Sequence, residues 1–360
     1  MNIFIIKPKQ TTIEYTLYST KENGALLTGS IGMDESGMEE GFSLQEIAKA
    51  CREKLTGSEP DAVAIYGRYG GCLFPETAPV NDEVVQKLKR LVPAAPLHVP
   101  SVIMLCEETE NVFPGTPAFL VFGTSFFCRL PERESYYGIS DLEEGTSPRR
   151  FGYHGLYHEA ACRMIQREQI RPGEKKRARV LSICLEPQPE LTAISGLVPQ
   201  MVTSGATPLE GLPGLTSCGE IDPAVALVLA ETAGLGPEQI DSLLTRESGL
   251  RSLCGCDAGL DEILTSEDEK MNLARDVFLY RILLAAGAGV AAMGGADAVV
   301  FSGRYAEAGK VIEKRLMENP LFKKLKEEQG MQFKYMKTPI EEILAQKTGA
   351  ALAVLEKSPA

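Results

Sequence analysis

The amino-acid sequence predicts an α/β protein with two domains. Short, continuous apolar runs typical of buried strands alternate along the chain with longer segments typical of helices. This alternation favours an α/β fold over a fold in which helices and strands occupy separate regions. The length of 360 residues exceeds what one ordinary hydrophobic core accommodates, and it suits two domains of usual size.

The predicted strands fall into two sets, one in each half of the chain. The first set begins with a hairpin and continues with two apolar runs, at 3–6, 15–18, 62–66 and 118–122. The second set lies at 180–185, 191–194 and 298–301. Helices are predicted between these strands, near 43–55, 83–92, 154–169, 223–233, 268–293 and 304–318. This spacing is typical of two similar βα-rich halves.

Two helix starts have a chemical signature. Asp222 offers a capping carboxylate to a helix that Pro223 can begin, because the first helical position needs no N–H donor. Thr338 and Glu341 have the spacing of a capping box, which predicts the start of the last helix.

The polar, turn-rich stretch 132–149 is the best candidate for a domain boundary, since no Pro/Gly/Ser-rich linker divides the chain. We predict an N-terminal domain at 1–130, completed by a C-terminal helix at 340–360, and a second domain at 131–339. A cleft between the two domains is the expected binding site.

Charge and composition exclude several classes of partner. A net charge of −12 argues against nucleic acid, whose phosphates require a basic face. The longest uncharged stretch, 282–296, is shorter than the roughly 20 residues of a membrane span. The opening apolar run lacks the charge order of a signal peptide, so the nine cysteines indicate reduced thiols and a cytoplasmic protein. Cys254-Gly255-Cys256 is the only close cysteine pair, and no further Cys/His set completes a metal site.

Several motifs occur in the order that one known family shows. They read A-P-L-H-V-P at 95–100, R-R-F-G-Y-H-G-L-Y-H at 149–158, T-P-L-E-G-L at 207–212, G-E-I-D-P at 219–223 and S-G-L at 248–250. These motifs resemble those of the acetate kinase (acetokinase) family, and the resemblance runs from the first strand to the last helix. It implies two domains of the actin-like ATPase/sugar kinase type. It also implies phosphoryl transfer between ATP and a short carboxylate (acetate to acetyl phosphate) with Mg²⁺.

The resemblance assigns roles to several residues. His154 lies where the family has a histidine that stabilises charge on the transferring phosphoryl group. Glu341 (or Glu342, with a one-residue shift) lies near the family's magnesium-side glutamate, which makes Glu341 the candidate metal ligand and a candidate cofactor-binding residue. Gly303 and Arg304 begin the stretch that matches the family's adenosine-side loop, so they are the candidate nucleotide-binding residues.

Other positions that carry the family's chemistry hold different residues. Tyr66 and Ser217 stand in place of two catalytic arginines, Gly123 in place of an aspartate, and Lys7 in place of an asparagine. Two guanidinium groups and a carboxylate that would surround a moving phosphoryl group are therefore replaced. Arg68 lies two positions after Tyr66, a spacing that keeps one face of a strand, so Arg68 is a candidate catalytic substitute.

The phosphate loop also differs from the family pattern. The family's H-L-G-N-G reads C-L-E-P-Q at 184–188 and continues with Pro189 and Glu190. The prolines remove N–H donors, and Glu186 and Glu190 are expected to repel a polyphosphate. These replacements argue against both ATP affinity and turnover.

Structural interpretations compete with the catalytic ones. His154 can pack with the arginines at 149–150 at the domain junction, and Glu341 can serve only to cap the last helix. His154 and His158 have zinc-like spacing, although no third ligand is evident. The arginines at 149–150 can bind an anion or pair with the glutamates at 143–144 or another acidic neighbour.

Three functions remain open. The first is an active acetokinase-type enzyme, and the second is a non-catalytic family member that binds a metabolite or a protein. The third is a remodelled phosphotransferase in which Lys7, Lys9, Arg68 and Arg304 replace the lost charges. We predict strongly impaired or absent carboxylate kinase activity, with a small carboxylate or a nucleotide as the ligand. The resemblance alone implies a homodimer that pairs through the second domain.

Overall fold

The computed structural model describes residues 1–9, 12–34, 37–38, 44–95, 98–140, 148–170 and 177–357. The chain divides into two compact units, and each is a mixed α/β structure with its own sheet. Unit 1 comprises Met1–Cys128 and Thr338–Ala360, and unit 2 comprises Arg129–Lys337. The α/β class predicted from the sequence is confirmed.

The strands include all those expected from the sequence. In chain order they are β1 (Asn2–Pro8), β2 (Thr12–Ser19), β3 (Gly24–Asp34), β4 (Gly37–Met38), β5 (Ala62–Gly67), β6 (Ala78–Pro79), β7 (Ala118–Phe122), β8 (Arg179–Cys184), β9 (Glu190–Ser195), β10 (Val198–Val202), β11 (Ala298–Ser302) and β12 (Gln332–Tyr335). Strand β3 was not expected, because glycine weakens a strand pattern. Its Gly29 pairs with Tyr15, and a Cβ at Gly29 would lie 2.2 Å from the tyrosine hydroxyl oxygen.

The helices also include the expected ones. In chain order they are α1 (Leu44–Lys54), α2 (Asp82–Lys89), α3 (Val99–Val112), α4 (Glu132–Ser135), α5 (Gly155–Gln169), α6 (Ala224–Ala233), α7 (Pro237–Arg246), α8 (Gly249–Cys254), α9 (Leu260–Thr265), α10 (Asn272–Met293), α11 (Gly309–Glu318), α12 (Pro320–Gln329) and α13 (Ile340–Leu355). Helix α3 was missed, although its buried positions recur every three or four residues. The helix expected at 304–318 begins only at Gly309, after a short 3-10 turn at 306–308.

The sheet of unit 1 has the strand order β4-β3-β2-β1-β5-β7-β6. Strand β1 is antiparallel to β2 and parallel to β5, which is in turn parallel to β7. Helices α3 and α13 pack against β5. Because β1, β5 and β7 are parallel, their carboxyl ends lie at one edge of the sheet, where loops of α/β proteins commonly form sites.

The sheet of unit 2 has the order β10-β9-β8-β11-β12. Strands β8, β11 and β12 are parallel, and Cys184 at the end of β8 pairs with Ser302 at the end of β11. The loops that follow these two strands therefore leave the same edge of the sheet.

Helix α10 forms the centre of the core of unit 2. Its buried residues include Phe278, Ile282 and Gly289, and the helix packs against β9 and α8. A Cβ on Gly289 would lie 2.6 Å from the side chain of Leu181, so glycine is needed for this close approach. With the preceding 3-10 turn, α10 is the one described helix long and apolar enough to cross a membrane, a test that core helices of soluble proteins also pass.

Candidate functional site

Lys7 and Glu341 form an ion pair in unit 1. The Lys7 ammonium group near the end of β1 donates to Glu341 Oε1 in the first turn of α13, and it lies 3.3 Å from Glu14 Oε2. The side chains of Lys7 and Glu341 are 13% and 21% exposed, so each charge depends on its partner rather than on water. The expected capping box is wrong, because no side chain caps the start of α13 at Pro339.

Lys9 extends this ion pair into a row of alternating charges. Its ammonium group pairs with Glu14 Oε1, so the row runs Lys9–Glu14–Lys7–Glu341, which we call the unit 1 charge chain. Burial raises the pKa of Glu14, but the hydrogen bonds and charges of Lys9 and Lys7 lower it on balance. Two of the four candidate cations from the sequence therefore neutralise carboxylates of their own unit.

Arg68 follows the end of β5 and is exposed. Because β5 ends at Gly67, the alternation of side chains along a strand does not determine the direction of Arg68, contrary to the premise of the prediction. Arg68 forms no ion pair among the described residues. Its charge acts on His98, whose pKa is lowered to about 4 by burial and by the charge of Arg68. His98 is therefore neutral at pH 7. It belongs to the A-P-L-H-V-P motif, which by itself indicates no role for the histidine.

The loop after β7 is held against the loop after β5. Gly123, which the sequence resemblance matches to an aspartate of the family, donates its N–H to the carbonyl oxygen of Gly67 at 2.9 Å. The buried Thr124 hydroxyl oxygen accepts from the N–H of Gly70 at 3.0 Å. A Cβ at Gly70 would lie 2.5 Å from the ring of Phe122. Close packing against Phe122 thus explains the glycine at position 70.

Glu190 is the centre of a buried network in unit 2. Its carboxylate accepts from the backbone N–H of Tyr153 at 2.8 Å and of His154 at 3.0 Å, and it lies 3.0 Å from His158 Nε2. His158 Nδ1 lies 2.8 Å from Ser182 Oγ. The expectation that Glu190 repels a polyphosphate is wrong, because this carboxylate is fully buried and engaged inside unit 2.

The ionisation of Glu190 fixes the tautomer of its partner. Burial raises the pKa of Glu190, but the hydrogen bond from His158 and the charges of His154 and His158 bring it down to about 2. An ionised carboxylate only accepts hydrogen bonds, so His158 Nε2 carries the proton and donates it. Both ring nitrogens of His158 are therefore used within the network, which removes the zinc interpretation of the His154–His158 spacing.

His154 lies at the start of α5 and contacts the segment 184–190, which the sequence resemblance matches to the family's phosphate loop. Its Nε2 lies 2.9 Å from the carbonyl oxygen of Gln188, which only accepts, so Nε2 is the protonated nitrogen. Backbone and ring are thus both positioned by neighbours, through Glu190 and Gln188 respectively. The half-buried imidazole is held in place rather than left to rotate.

The segment 184–190 also contacts the predicted nucleotide residues. Arg304 donates its N–H to Glu186 Oε1 at 2.8 Å, and its Nε lies 3.7 Å from Glu186 Oε2. Gly303 has φ +84°, and a Cβ there would lie 2.8 Å from the carbonyl oxygen of Leu185. Gly303 is therefore required by the turn itself, and Arg304 is a third candidate cation paired with a carboxylate.

Ser217 is the residue that the sequence resemblance matches to the family's second catalytic arginine. Its side chain is buried, and its hydroxyl donates to Gln188 Oε1. Gln188 Nε2 is buried without a hydrogen-bond partner among the described residues. A Cβ on the neighbouring Gly214 would lie 2.3 Å from Ser217 Oγ, so the surroundings leave no room for a longer side chain. An arginine at 217 would have to displace Gln188.

Arg150 pairs with the glutamate of the T-P-L-E-G-L motif. Arg150 Nη2 lies 2.7 Å from Glu210 Oε1, while the Tyr137 hydroxyl donates to Glu210 Oε2. Arg149 lies over the ring of Tyr136, with 4.4 Å between Cζ and the ring centroid. The glutamates at 143–144, the other partners considered, lie outside the described residues. Two family motifs thus meet in a structural ion pair.

Comparison with known proteins decides the family. Residues 34–349 match the sequence model of the Acetokinase family. The chain belongs to the acetokinase family. Acetate kinase from Dictyoglomus thermophilum is 31% identical over 338 residues, which cover 86% of this chain and 84% of the relative. Acetate kinase from Corynebacterium jeikeium is 32% identical over 302 residues, which cover 82% of this chain and 72% of the relative.

Solved structures agree on the fold of this acetokinase-family chain. Acetate kinase from Porphyromonas gingivalis has a TM-score of 0.83 at 24% identity and covers 98% of this chain and 99% of its own. A propionate kinase from Francisella tularensis has a TM-score of 0.81 at 22% identity, with coverages of 96% and 98%. Likeness at this identity shows the fold, and the expected actin-like fold is confirmed.

The acetokinase family implies Mg²⁺ beside ATP, and the unit 1 charge chain tests whether the side chains fit it. Magnesium in kinases is held by one or two carboxylates together with phosphates and water. Glu341 is the carboxylate expected there, and the Lys7 ammonium group already pairs with it. The described residues contain no cluster of three or more His, Cys, Asp or Glu side chains able to hold a metal ion. In this arrangement the residues do not fit Mg²⁺, because the ion would first have to displace Lys7.

The sequence-predicted site residues thus fall into three groups. Glu341 lies in the unit 1 charge chain, and Arg68 acts through its charge on His98 of the same unit. His154, Gly303 and Arg304 lie around the segment 184–190 of unit 2. The role of Glu190 was missed. Its sequence signal was a carboxylate placed directly before the apolar strand residues 191–194.

Proposed function

We propose that this acetokinase-family chain has strongly impaired or absent phosphoryl transfer between ATP and a short carboxylate. The observation that carries the proposal is the Lys7–Glu341 ion pair. The ammonium group supplies positive charge near the expected metal carboxylate, but it has no open coordination positions with which to bridge phosphate oxygens. Lys7 therefore supplies positive charge where a metal ion is expected, but it cannot coordinate phosphate oxygens as the ion would.

The replaced charge donors determine the expected size of the loss. Removing one transition-state charge donor costs about 10²–10³ in rate. Here Tyr66, Ser217 and Gly123 stand in place of two arginines and an aspartate. Since residues that act together have non-additive effects, we expect turnover at least about 10³ below that of active family members.

A non-catalytic protein that binds a small carboxylate, a nucleotide or a protein partner fits this arrangement. The remodelled phosphotransferase has less support, because Lys7, Lys9 and Arg304 are already paired with carboxylates. Arg68 is the remaining candidate cation. For Arg304 to bind a phosphate of ATP, its side chain would have to leave Glu186.

The substitution Lys7→Asn tests the proposal, with Lys9→Asn as its matched control. Both remove one positive charge beside Glu14, but only Lys7 contacts Glu341. We expect titration calorimetry with MgCl₂ to show Mg²⁺ binding to Lys7→Asn and not to Lys9→Asn or the native chain. ADP release from Mg-ATP with a panel of short carboxylates, checked by trapping the acyl phosphate, should stay at background for the native chain.

Two outcomes would contradict the proposal. Native turnover that disappears in His154→Ala would establish a kinase with a rebuilt site. Equal Mg²⁺ affinity in Lys7→Asn and Lys9→Asn would show that the Lys7–Glu341 pair does not control the metal position.

We further propose a cytoplasmic homodimer that pairs through unit 2. Helix α6 exposes Val225, Leu227 and Val228, and α10 exposes Leu273 and Tyr280. Covering these exposed apolar side chains with a second copy of the chain would bury apolar surface and so stabilise a dimer. The cytoplasmic location is supported by the nine cysteines, all of which are free thiols.

A further inference from the structure

A dithiol in unit 2 lies apart from the residues discussed above. Cys254 ends α8, Gly255 follows with φ +66°, and Cys256 comes next. This turn brings the two Sγ atoms to 3.1 Å of each other. Residues two apart in such a turn have Cα separations within the roughly 4.4–6.8 Å that a disulfide spans. A Cβ on Gly255 would meet no atom within 4 Å, so the glycine serves the left-handed turn rather than space.

The two thiols differ in their access to solvent. Cys254 is buried at 7% exposure, whereas Cys256 is half-buried. The Cys256 sulfur also lies 3.9 Å from the sulfur of Met271, which forms an apolar wall on one side. An accessible thiol with a second thiol next to it allows a mixed disulfide on the first sulfur to be resolved by the second. A small reagent in solution reaches Cys256 first.

We propose that Cys254 and Cys256 form a reversible disulfide by exchange with a small-molecule disulfide such as glutathione disulfide. The Cys256 thiolate attacks one sulfur of the small disulfide, whose S–S bond breaks, and one small thiol leaves. The Cys254 thiolate then attacks the Cys256 sulfur of this mixed disulfide, and the second small thiol leaves. The protein loses two electrons and two protons, and the small disulfide is reduced to two thiols.

The rate of this exchange should rise with pH. The hydrogen bond from Cys256 to Cys254 raises the pKa of the Cys256 thiol, and burial adds to the increase. Less thiolate is therefore present at pH 7 than for an ordinary cysteine, and more forms as the pH increases.

The dithiol lies at the far end of a helix that contacts the candidate site. The N–H of Leu250 in the first turn of α8 donates to the carbonyl oxygen of Gly214 at 2.9 Å, and that of Ser248 donates to Thr216 at 2.9 Å. Ser217, which follows, bonds to Gln188. Closure of the disulfide fixes the carboxyl end of α8, whose other end supports this segment.

Peptide mapping of the full-length protein tests the proposal directly. Trypsin releases Ser252–Lys270, which contains both cysteines and no other. After equilibration with reduced and oxidised glutathione, we expect this peptide to be lighter by two hydrogen atoms and to resist alkylation. Cys254→Ser should instead accumulate a stable mixed disulfide on Cys256. The control Cys72→Ser removes an exposed thiol of unit 1 and should close as the native chain does.

A comparison with the synthetic peptide of residues 252–270 covers the case in which a variant does not fold. Because the fold holds the sulfur atoms at 3.1 Å, the ratio of closed to singly glutathionylated form should be at least about tenfold higher in the folded protein. An equal or lower ratio would overturn the proposal. So would a native chain that stops at the mixed disulfide, or that stays reduced in excess glutathione disulfide.

Discussion

Replacing Glu190 with glutamine changes one oxygen of a buried carboxylate into an amino group at nearly constant volume. Oε1 accepts from the N–H of His154 and faces His158 Nε2, and Oε2 accepts from the N–H of Tyr153. Whichever way the amide is turned, its NH₂ group faces a donor. The substitution therefore removes charge-assisted hydrogen bonds and leaves a buried donor without an acceptor.

The size of the effect follows from the pKa of Glu190, which is about 2 in the folded protein against an ordinary 4.5. A difference of this size corresponds to about 3 kcal/mol of unfolding free energy. Breaking a buried pair by changing one partner costs about 3–5 kcal/mol. We therefore expect Glu190→Gln to lower the free energy of unfolding by about 3–5 kcal/mol.

The same pKa determines the dependence on pH. The folded-state pKa of Glu190 lies below its unfolded-state value, so the carboxylate contributes fully above about pH 4.5. The contribution is lost as the pH falls through the folded-state pKa of about 2. Glu190→Gln should lack this acid-dependent part of the stability.

Urea unfolding followed by far-ultraviolet circular dichroism measures both effects, since the chain contains no tryptophan. Hydrogen exchange of peptides from unit 2 locates the loss, because two units need not unfold together. Glu186→Gln is the matched control in the same segment. Its side chain is 17% exposed and bonds to Arg304, so we expect a cost of at most about 1 kcal/mol. Equal losses in the two variants, or the same acid profile in Glu190→Gln and the native chain, would refute the role given to Glu190.

Three further predictions concern a turn, a histidine and the proposed dimer. Gly303→Ala should cost about 1–3 kcal/mol in urea unfolding, because φ is +84° and the new Cβ would lie 2.8 Å from a carbonyl oxygen. Gly330→Ala has φ +72° but no atom within 4 Å, so a cost above about 2 kcal/mol would contradict this account. The pKa of His98 should be about 4 by NMR titration, and Arg68→Gln should raise it only in part, because burial is the larger cause. A complete return to the ordinary value of 6.5 would show that the charge dominates. Leu227→Glu should dissociate the proposed homodimer in sedimentation equilibrium, and a native chain that is already monomeric would exclude that pairing.

The candidate site was only partly readable from the sequence. The segment 184–190 was recognised from its motif, and its neighbour at 303–304 follows a parallel strand, so their meeting agrees with the rule for strand ends. The orientation of Glu190 was not readable, because a charged residue beside prolines is usually exposed. It became buried because His158 and Ser182 lie on α5 and β8, next to the first residue of β9. The predicted capping box at Thr338 is absent for a related reason. Glu341 pairs with the Lys7 ammonium group, which is a stronger partner than a backbone N–H.

The sequence by itself determined the fold class, the strands that frame the site and the family, because apolar runs and motif order are local properties of a chain. Only the tertiary structure decided which charges meet. Lys7 and Glu341 are 334 residues apart, and Arg304 is 118 residues from Glu186. They meet because α13 returns to pack against β1 and because β8 and β11 end at one sheet edge. Whether a lysine binds a ligand or neutralises a carboxylate depends on this long-range geometry, which no local pattern of residues encodes.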